Sequence, residues 1–214
     1  MERIETIFLA VIFVVSISLH EYAHAWTSRK LGDPTPEYQW RLTPNPLVHI
    51  DPIGFILIFL IHFGWGRPVE VNPAYYKHPL RDELLVALAW PATNIILAIG
   101  GTIILMLYVL LAGTNVLFDK TDIIVQFWML FGLINSALAI FNLIPLPPLD
   151  GRRIIKFLFP SFGYRIERYG RYISLIVILL ILAPGTGTAI SRFVSTLSHV
   201  VYGSIYFVIS SVFL

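Results

Sequence analysis

IETIFLAVIFVVSISLHEYAHAW, residues 4–26, is an apolar run long enough, at 1.5 Å rise per residue, to cross a hydrocarbon core of about 30 Å as a helix. It is too long for the core of a signal peptide and lacks a small-residue cleavage site, so it reads as a retained membrane span. Near its end it carries His20-Glu21-Tyr22-Ala23-His24. Two histidines four apart on a helix lie on one face, a turn above each other, close enough to grip one zinc ion with the intervening glutamate beside it. Ionisable groups at this depth are costly in a bilayer and point to function.

The composition agrees with a membrane setting. Hydrophobic residues make up 57% of the 214 and charged residues 13%, and the mean hydropathy of +0.76 is far above that of a soluble domain. Cysteine is absent, so no thiolate can ligate a metal and no disulfide framework exists. The net charge of +2 gives no basic surface suited to nucleic acid.

Further apolar runs at about Leu84 to Leu111 and Ile123 to Ile144 predict two more spans, and weaker ones lie at Tyr172 to Ala183 and Phe193 to Leu214. Ile53 to Phe63 reaches only about 16 Å as a helix and cannot cross. The prolines before it, Pro34, Pro36, Pro44 and Pro46, favour extended chain and turns. The expected fold is an all-α integral membrane protein: a polytopic helical bundle with a re-entrant or extended segment between its first and second spans. Residues 1–214 are expected to form one membrane-embedded domain, with a catalytic core of about 1–156 and C-terminal helices of about 165–214.

Placement of charge predicts topology. Arg29, Lys30, Arg41, Arg67, Lys77 and Arg81 fall between the first two spans, and Arg152, Arg153, Lys156, Arg165, Arg168 and Arg171 follow the third. Only Arg3, Lys120 and Arg192 lie elsewhere. The positive-inside rule puts both basic segments in the cytoplasm and the N-terminus outside. His24 precedes Arg29 by five residues, so the histidine pair is expected about 7 Å below the cytoplasmic interface.

A catalytic zinc usually takes three protein ligands and keeps one position open. The third span ends at Asn142-Leu143-Ile144-Pro145-Leu146-Pro147-Pro148-Leu149-Asp150-Gly151, on the same side as the histidines by span parity. The prolines forbid continued helix, and an extended segment can fold back toward the site where the protein covers its backbone. Asp150 is the only carboxylate between Asp122 and Glu167. Asp-Gly is also a common turn pair, but beside a histidine pair Asp150 reads more strongly as the third ligand.

Four stretches together resemble the site-2 protease family of intramembrane zinc metalloproteases: His20 to Trp26, Leu31-Gly32-Asp33-Pro34-Thr35-Pro36, Asn45 to Gly54 and Phe141 to Gly151. The likeness covers about residues 16–156, with the motifs in the family's order and spacing. It is closest to the compact branch without an inserted peptide-binding domain. The resemblance implies that His20, His24 and Asp150 bind one zinc ion per chain, that Glu21 activates the water, and that Asn142 lies near the scissile carbonyl. It also implies a membrane-spanning protein substrate, and a place in a cell membrane with the active site toward the cytoplasm.

The residue types suit that chemistry. Zinc lowers the pKa of its water to about 7 and polarises a carbonyl, and Glu21 beside the ligands can carry a proton from the water to the leaving amine. Asn142 or Asn94 could donate to the tetrahedral oxyanion, although for Asn94 an interhelical hydrogen bond is the stronger reading. Where the family commonly has Ala-Gly-Pro, this chain has Ala89-Trp90-Pro91, a bulky residue in place of a small one. Pro44 and Glu70 also depart from the common pattern, in segments that face substrate if the resemblance holds.

His49 and Asp51 suit either ligand-orienting or turn roles, and His62, His78 and His199 read as interfacial or loop residues. The loop from Gly64 to Pro79 suits a gate or clamp for an extended substrate strand. The rival from another class is a transporter or channel for protons or metal ions that uses the same buried His, Glu and Asp. It gives no reason for a glutamate between two zinc-spaced histidines and a distant Asp-Gly. A catalytically inactive scaffold is a further rival, against which every catalytic residue type is present.

Overall fold

The computed structural model describes residues 2–61, 64–183 and 185–213. The elements in chain order are α1 (Glu2–Lys30), α2 (Thr35–Tyr38), α3 (Pro46–His49), α4 (Pro52–Ile61), α5 (Pro79–Ala112), α6 (Ile123–Leu143), α7 (Arg152–Leu158), α8 (Pro160–Arg168), α9 (Gly170–Leu182) and α10 (Thr186–Phe213). Short 3-10 turns at Pro73–Tyr75 and Thr114–Phe118 complete them. Among the described residues there is no strand, only an isolated antiparallel bridge between Ile50 and Gly66.

Among the described residues four helices, α1, α5, α6 and α10, are long and apolar enough to cross a membrane. The protein is therefore an integral membrane helical bundle. Its outward faces carry large apolar side chains such as Ile7 and Val11 on α1 and Ile96, Leu107 and Leu111 on α5, which suits contact with lipid.

The helix limits follow from local chemistry. Asp122 caps α6, its Oδ1 accepting from the amides of Ile124 and Val125 at 2.9 and 3.0 Å. Pro79 opens α5, where a missing amide hydrogen costs nothing, and Asp82 reaches back to accept from the amide of His78 at 3.0 Å. The sequence pattern starts the last helix near Phe193, but α10 begins two turns earlier. The polar letters of residues 186–192 conceal those turns. Conversely, α9 at 13 residues reaches only about 20 Å, short of a bilayer.

The segment between α1 and α5 turns back on itself. The amide of Arg67 donates to the carbonyl of His49 at 2.7 Å, so the chain returns after α4 to the place it left. The basic residues before and after α4 are thus brought back together, with α4 as a fold-back between them. Gly54 permits the return, since a Cβ there would stand 2.2 Å from the carbonyl oxygen of Trp65. Asp51 caps α4 through the amide of Gly54 at 2.9 Å, and His49 Nε2 donates to the carbonyl of Thr43 at 2.6 Å. Asp51 thus serves the turn, and His49 is tied through Nε2 to the loop before α3. His62 and the turn at Pro184 lie outside the described residues.

α1, α5 and α6 form the centre of the bundle, and α10 packs on α5 and α6. Leu105, Met106 and Val109 of α5 bury against Val125 of α6. Asn94 Nδ2 donates to Asn135 Oδ1 at 3.2 Å, the interhelical bond favoured for it. At the start of α5, Glu83 meets Lys156 of α7 at 2.7 Å, and Lys156 also reaches Glu167 of α8 at 3.0 Å. That triad fastens the basic segment after α6 to the start of α5.

Candidate metal centre

The helical period alone sets His20 and His24 on one face of α1, and their ring centroids lie 5.2 Å apart. Asp150 arrives from another element. After α6 the chain folds back so tightly that the amide of Gly151 donates to the carbonyl of Asn142 at 2.8 Å. Only glycine fits that approach, because a Cβ at residue 151 would stand 2.4 Å from the carbonyl oxygens of Leu143 and Ile144. One residue earlier, Asp150 Oδ2 lies 3.2 Å from His24 Nε2. One ligand atom each from His20, His24 and Asp150 then falls within 4.8 Å of the others. The two histidines are buried, and a fifth of the Asp150 side chain is exposed.

The donor set fits a cation. A carbonyl can only accept, so the 3.0 Å contact between His24 Nδ1 and the carbonyl of Val86 fixes the hydrogen on Nδ1. In the neutral ring Nε2 is then a lone pair, and it faces a carboxylate oxygen. Two acceptors at 3.2 Å are mutually repulsive unless a positive charge lies with them. Burial by itself would raise the Asp150 carboxyl, but its contact with His24 and the positive charge of Arg153 hold it below the usual carboxylate range. Asp150 thus stands in the cluster as a carboxylate anion. Two imidazoles and a carboxylate are the kind of set that takes Zn²⁺ and leaves a position open.

Glu21 stands on the same turn. Its Oε2 accepts from the amide of Val69 at 2.8 Å, which fixes the carboxylate and ties the extended segment after Gly64 to α1. Its Oε1 is left toward the cluster, 3.5 Å from His20 Nε2.

The comparisons with known proteins decide the family. The family model described as Peptidase family M50 matches residues 114–184, a stretch that includes Asn142 and Asp150. The chain is 41% identical over 175 residues to YwhC of Bacillus subtilis, covering 79% of each protein. It is 29% identical over 188 residues to Rip2 of Mycolicibacterium smegmatis, covering 83% of this chain and 68% of the relative. Both relatives carry the printed name "Putative zinc metalloprotease". The chain belongs to peptidase family M50. No solved structure gives a significant match.

Some parts of this M50 peptidase's centre escape a reading by residue type. The Val69 amide and the Val86 carbonyl are backbone groups, which leave no letter in the sequence. Pro91 inside α5 removes the amide that would bond the carbonyl of Ala87, the residue next to Val86, so it marks the region but not the group. Trp90 is fully buried with its ring 3.8 Å from that of His20, edge to face, so the bulky residue covers a histidine of the cluster. Arg153 places Nη1 3.8 Å from Asp150 Oδ1, on the carboxylate oxygen that does not face His24. Asn142 uses its side-chain amide to donate to the carbonyl of Leu138 at 3.2 Å. That bond ties it to its own helix.

Proposed function

We propose that this M50 peptidase hydrolyses a peptide bond within or near the membrane-spanning segment of another membrane protein, with one zinc ion per chain held by His20, His24 and Asp150. The observation that carries the reading is the convergence of these three side chains within 4.8 Å, two from a membrane-spanning helix and one from a fold-back loop. Zinc held there supplies Lewis acidity, making water a nucleophile at neutral pH and polarising a peptide carbonyl.

The chain's own residues do the rest. Glu21, fixed by Val69 and with Oε1 toward the cluster, accepts the proton of the attacking water and delivers it to the leaving amine. Asn142 has a second amide hydrogen beyond the one given to Leu138, and we assign it to the scissile carbonyl. The extended segment from Gly64 to Asn72, already tied to Glu21, is placed to receive an unwound substrate as a strand. Residues 1–214 act as one domain in a cell membrane, with the N-terminus outside and the site toward the cytoplasm, where charge placement puts it.

The test is a metal measurement joined to a cleavage assay. Purified protein in lipid nanodiscs should contain about one zinc per chain and cleave a membrane-spanning reporter, and chelation should stop cleavage. Glu21→Gln should keep the zinc, because the amide oxygen still accepts from Val69, and lose turnover by about 10²- to 10⁴-fold. Cleavage by this variant at the normal rate would end the mechanism. Proton or metal transport without cleavage would favour the transporter instead.

A further inference from the structure

The two ligand histidines have different surroundings. His24 Nδ1 has a protein partner in the Val86 carbonyl. His20 Nδ1 is buried and, among the described residues, has none. A histidine that gives Nε2 to a metal carries hydrogen on Nδ1, and that N–H is ordinarily donated to a carboxylate, a carbonyl or water. Left bare in a membrane interior, it is expensive.

Three more buried polar atoms without a protein partner among the described residues lie on the same two helices: Ser16 Oγ on α1, and Trp90 Nε1 and Asn94 Oδ1 on α5. All three residues are fully buried. His24 pairs with Val86 and His20 with Trp90, so α1 and α5 run antiparallel, and one turn deeper the register brings Ser16 opposite Asn94. His20 and Trp90 thus share one layer of the α1–α5 seam, and Ser16 and Asn94 fall in the next.

Their hydrogen-bonding senses are complementary. Asn135 Nδ2 donates to the carbonyl of Phe131 at 2.9 Å, so Asn135 Oδ1 is the acceptor that faces Asn94. Asn94 must present its NH₂ there, which leaves Oδ1 outside that pair as an unpartnered acceptor. The indole N–H of Trp90 and the Nδ1–H of a metal-bound His20 are donors, Asn94 Oδ1 is an acceptor, and the Ser16 hydroxyl is either. Two donors, one acceptor and one group of either sense, unpaired among themselves, are the partners that one or two buried waters require.

We infer that Ser16, His20, Trp90 and Asn94 form a water-binding site behind the metal centre, and that this water accepts from His20 Nδ1 and fixes the ring for ligation. Ser16 and Asn94 are positioning residues that act through the water, and Trp90 closes it from above. The water site stands on the polar atoms alone; its role toward His20 rests on the metal reading.

Radiolytic hydroxyl-radical labelling of the full chain in nanodiscs tests it, because a bound water labels a side chain that bulk solvent does not reach. Trp90 should be modified in metal-free and zinc-loaded protein, while Met106, equally buried in an apolar cluster, stays unmodified. Ser16→Ala and Asn94→Leu should reduce Trp90 labelling several-fold and weaken zinc in chelator competition by about 10- to 100-fold. Ser16→Ala removes only a hydroxyl and so guards against a folding defect in the larger change. Trp90 as silent as Met106 would overturn the water site. Wild type that binds zinc, with both variants binding it equally well, would overturn the role toward His20. Wild type that binds no zinc would overturn the metal reading, and the labelling would still decide the water site.

Discussion

Gly151→Ala tests whether the fold-back loop, rather than ligand identity alone, makes the metal centre. The new Cβ would lie 2.4 Å from two backbone carbonyl oxygens and 2.6 Å from the carbonyl carbon of Leu143, whereas real Cβ contacts stop near 3.0 Å. The loop or the end of α6 must therefore give by about 0.6 Å, the difference between these distances. No flexible side-chain tip is among these contacts, so the movement falls on the backbone next to Asp150. Metal–ligand distances tolerate only about 0.2 Å, and a misplacement near 1 Å costs about 10²-fold in rate. Zinc affinity and kcat/KM should each fall about 10- to 100-fold, with a stability loss of about 1–3 kcal/mol from overpacking. Chelator competition and a membrane-spanning reporter in nanodiscs measure the first two. Gly100→Ala in mid-α5, where a Cβ would meet nothing within 4 Å, is the control and should leave cleavage unchanged. A Gly151→Ala protein that binds zinc within twofold of wild type and cleaves normally would refute the argument.

Three further outcomes are expected. Lys156→Ala leaves Glu83 buried without its cation, and because Glu167 is a third exposed the loss should sit near the low end of the 3–5 kcal/mol typical of a broken buried pair, read as a lowered midpoint of thermal unfolding. Adding Glu83→Gln to that variant should restore part of the loss. Asp33 opposes the effect of its burial with hydrogen bonds from Thr35, Asn72 and Ser28, and its carboxyl is lowered below the ordinary 3.8. Its contribution is therefore full above the unfolded value and is lost as pH falls through the folded one, so Asp33→Asn should flatten the acid limb of a stability–pH profile below about pH 4. Asp150→Ala should abolish zinc binding while the helix content by circular dichroism stays that of wild type.

How much of this was legible in advance differs from element to element. α1, α5 and α6 were readable because a span is a long apolar run and needs no partner to be recognised. His20, Glu21 and His24 were readable because a helix converts a spacing of four into a shared face. Asp150 was readable only as the one carboxylate between Asp122 and Glu167, at the end of the third span. The start of α10 was hidden by a polar first two turns, whereas the short apolar run at Tyr172 to Ala183 already matched the 13 residues of α9.

By itself the sequence determined which side chains have metal chemistry and that they must work in a bilayer, because residue type and helical period are local properties. Tertiary structure alone decided that Val69 holds Glu21, that Val86 orients His24, that Trp90 lies over His20, and that the loop at Gly151 brings Asp150 within 3.2 Å of His24. The first two are backbone groups, identical in every residue but proline. The others are distances between elements far apart in the chain, fixed only when α1, α5 and the end of α6 pack together.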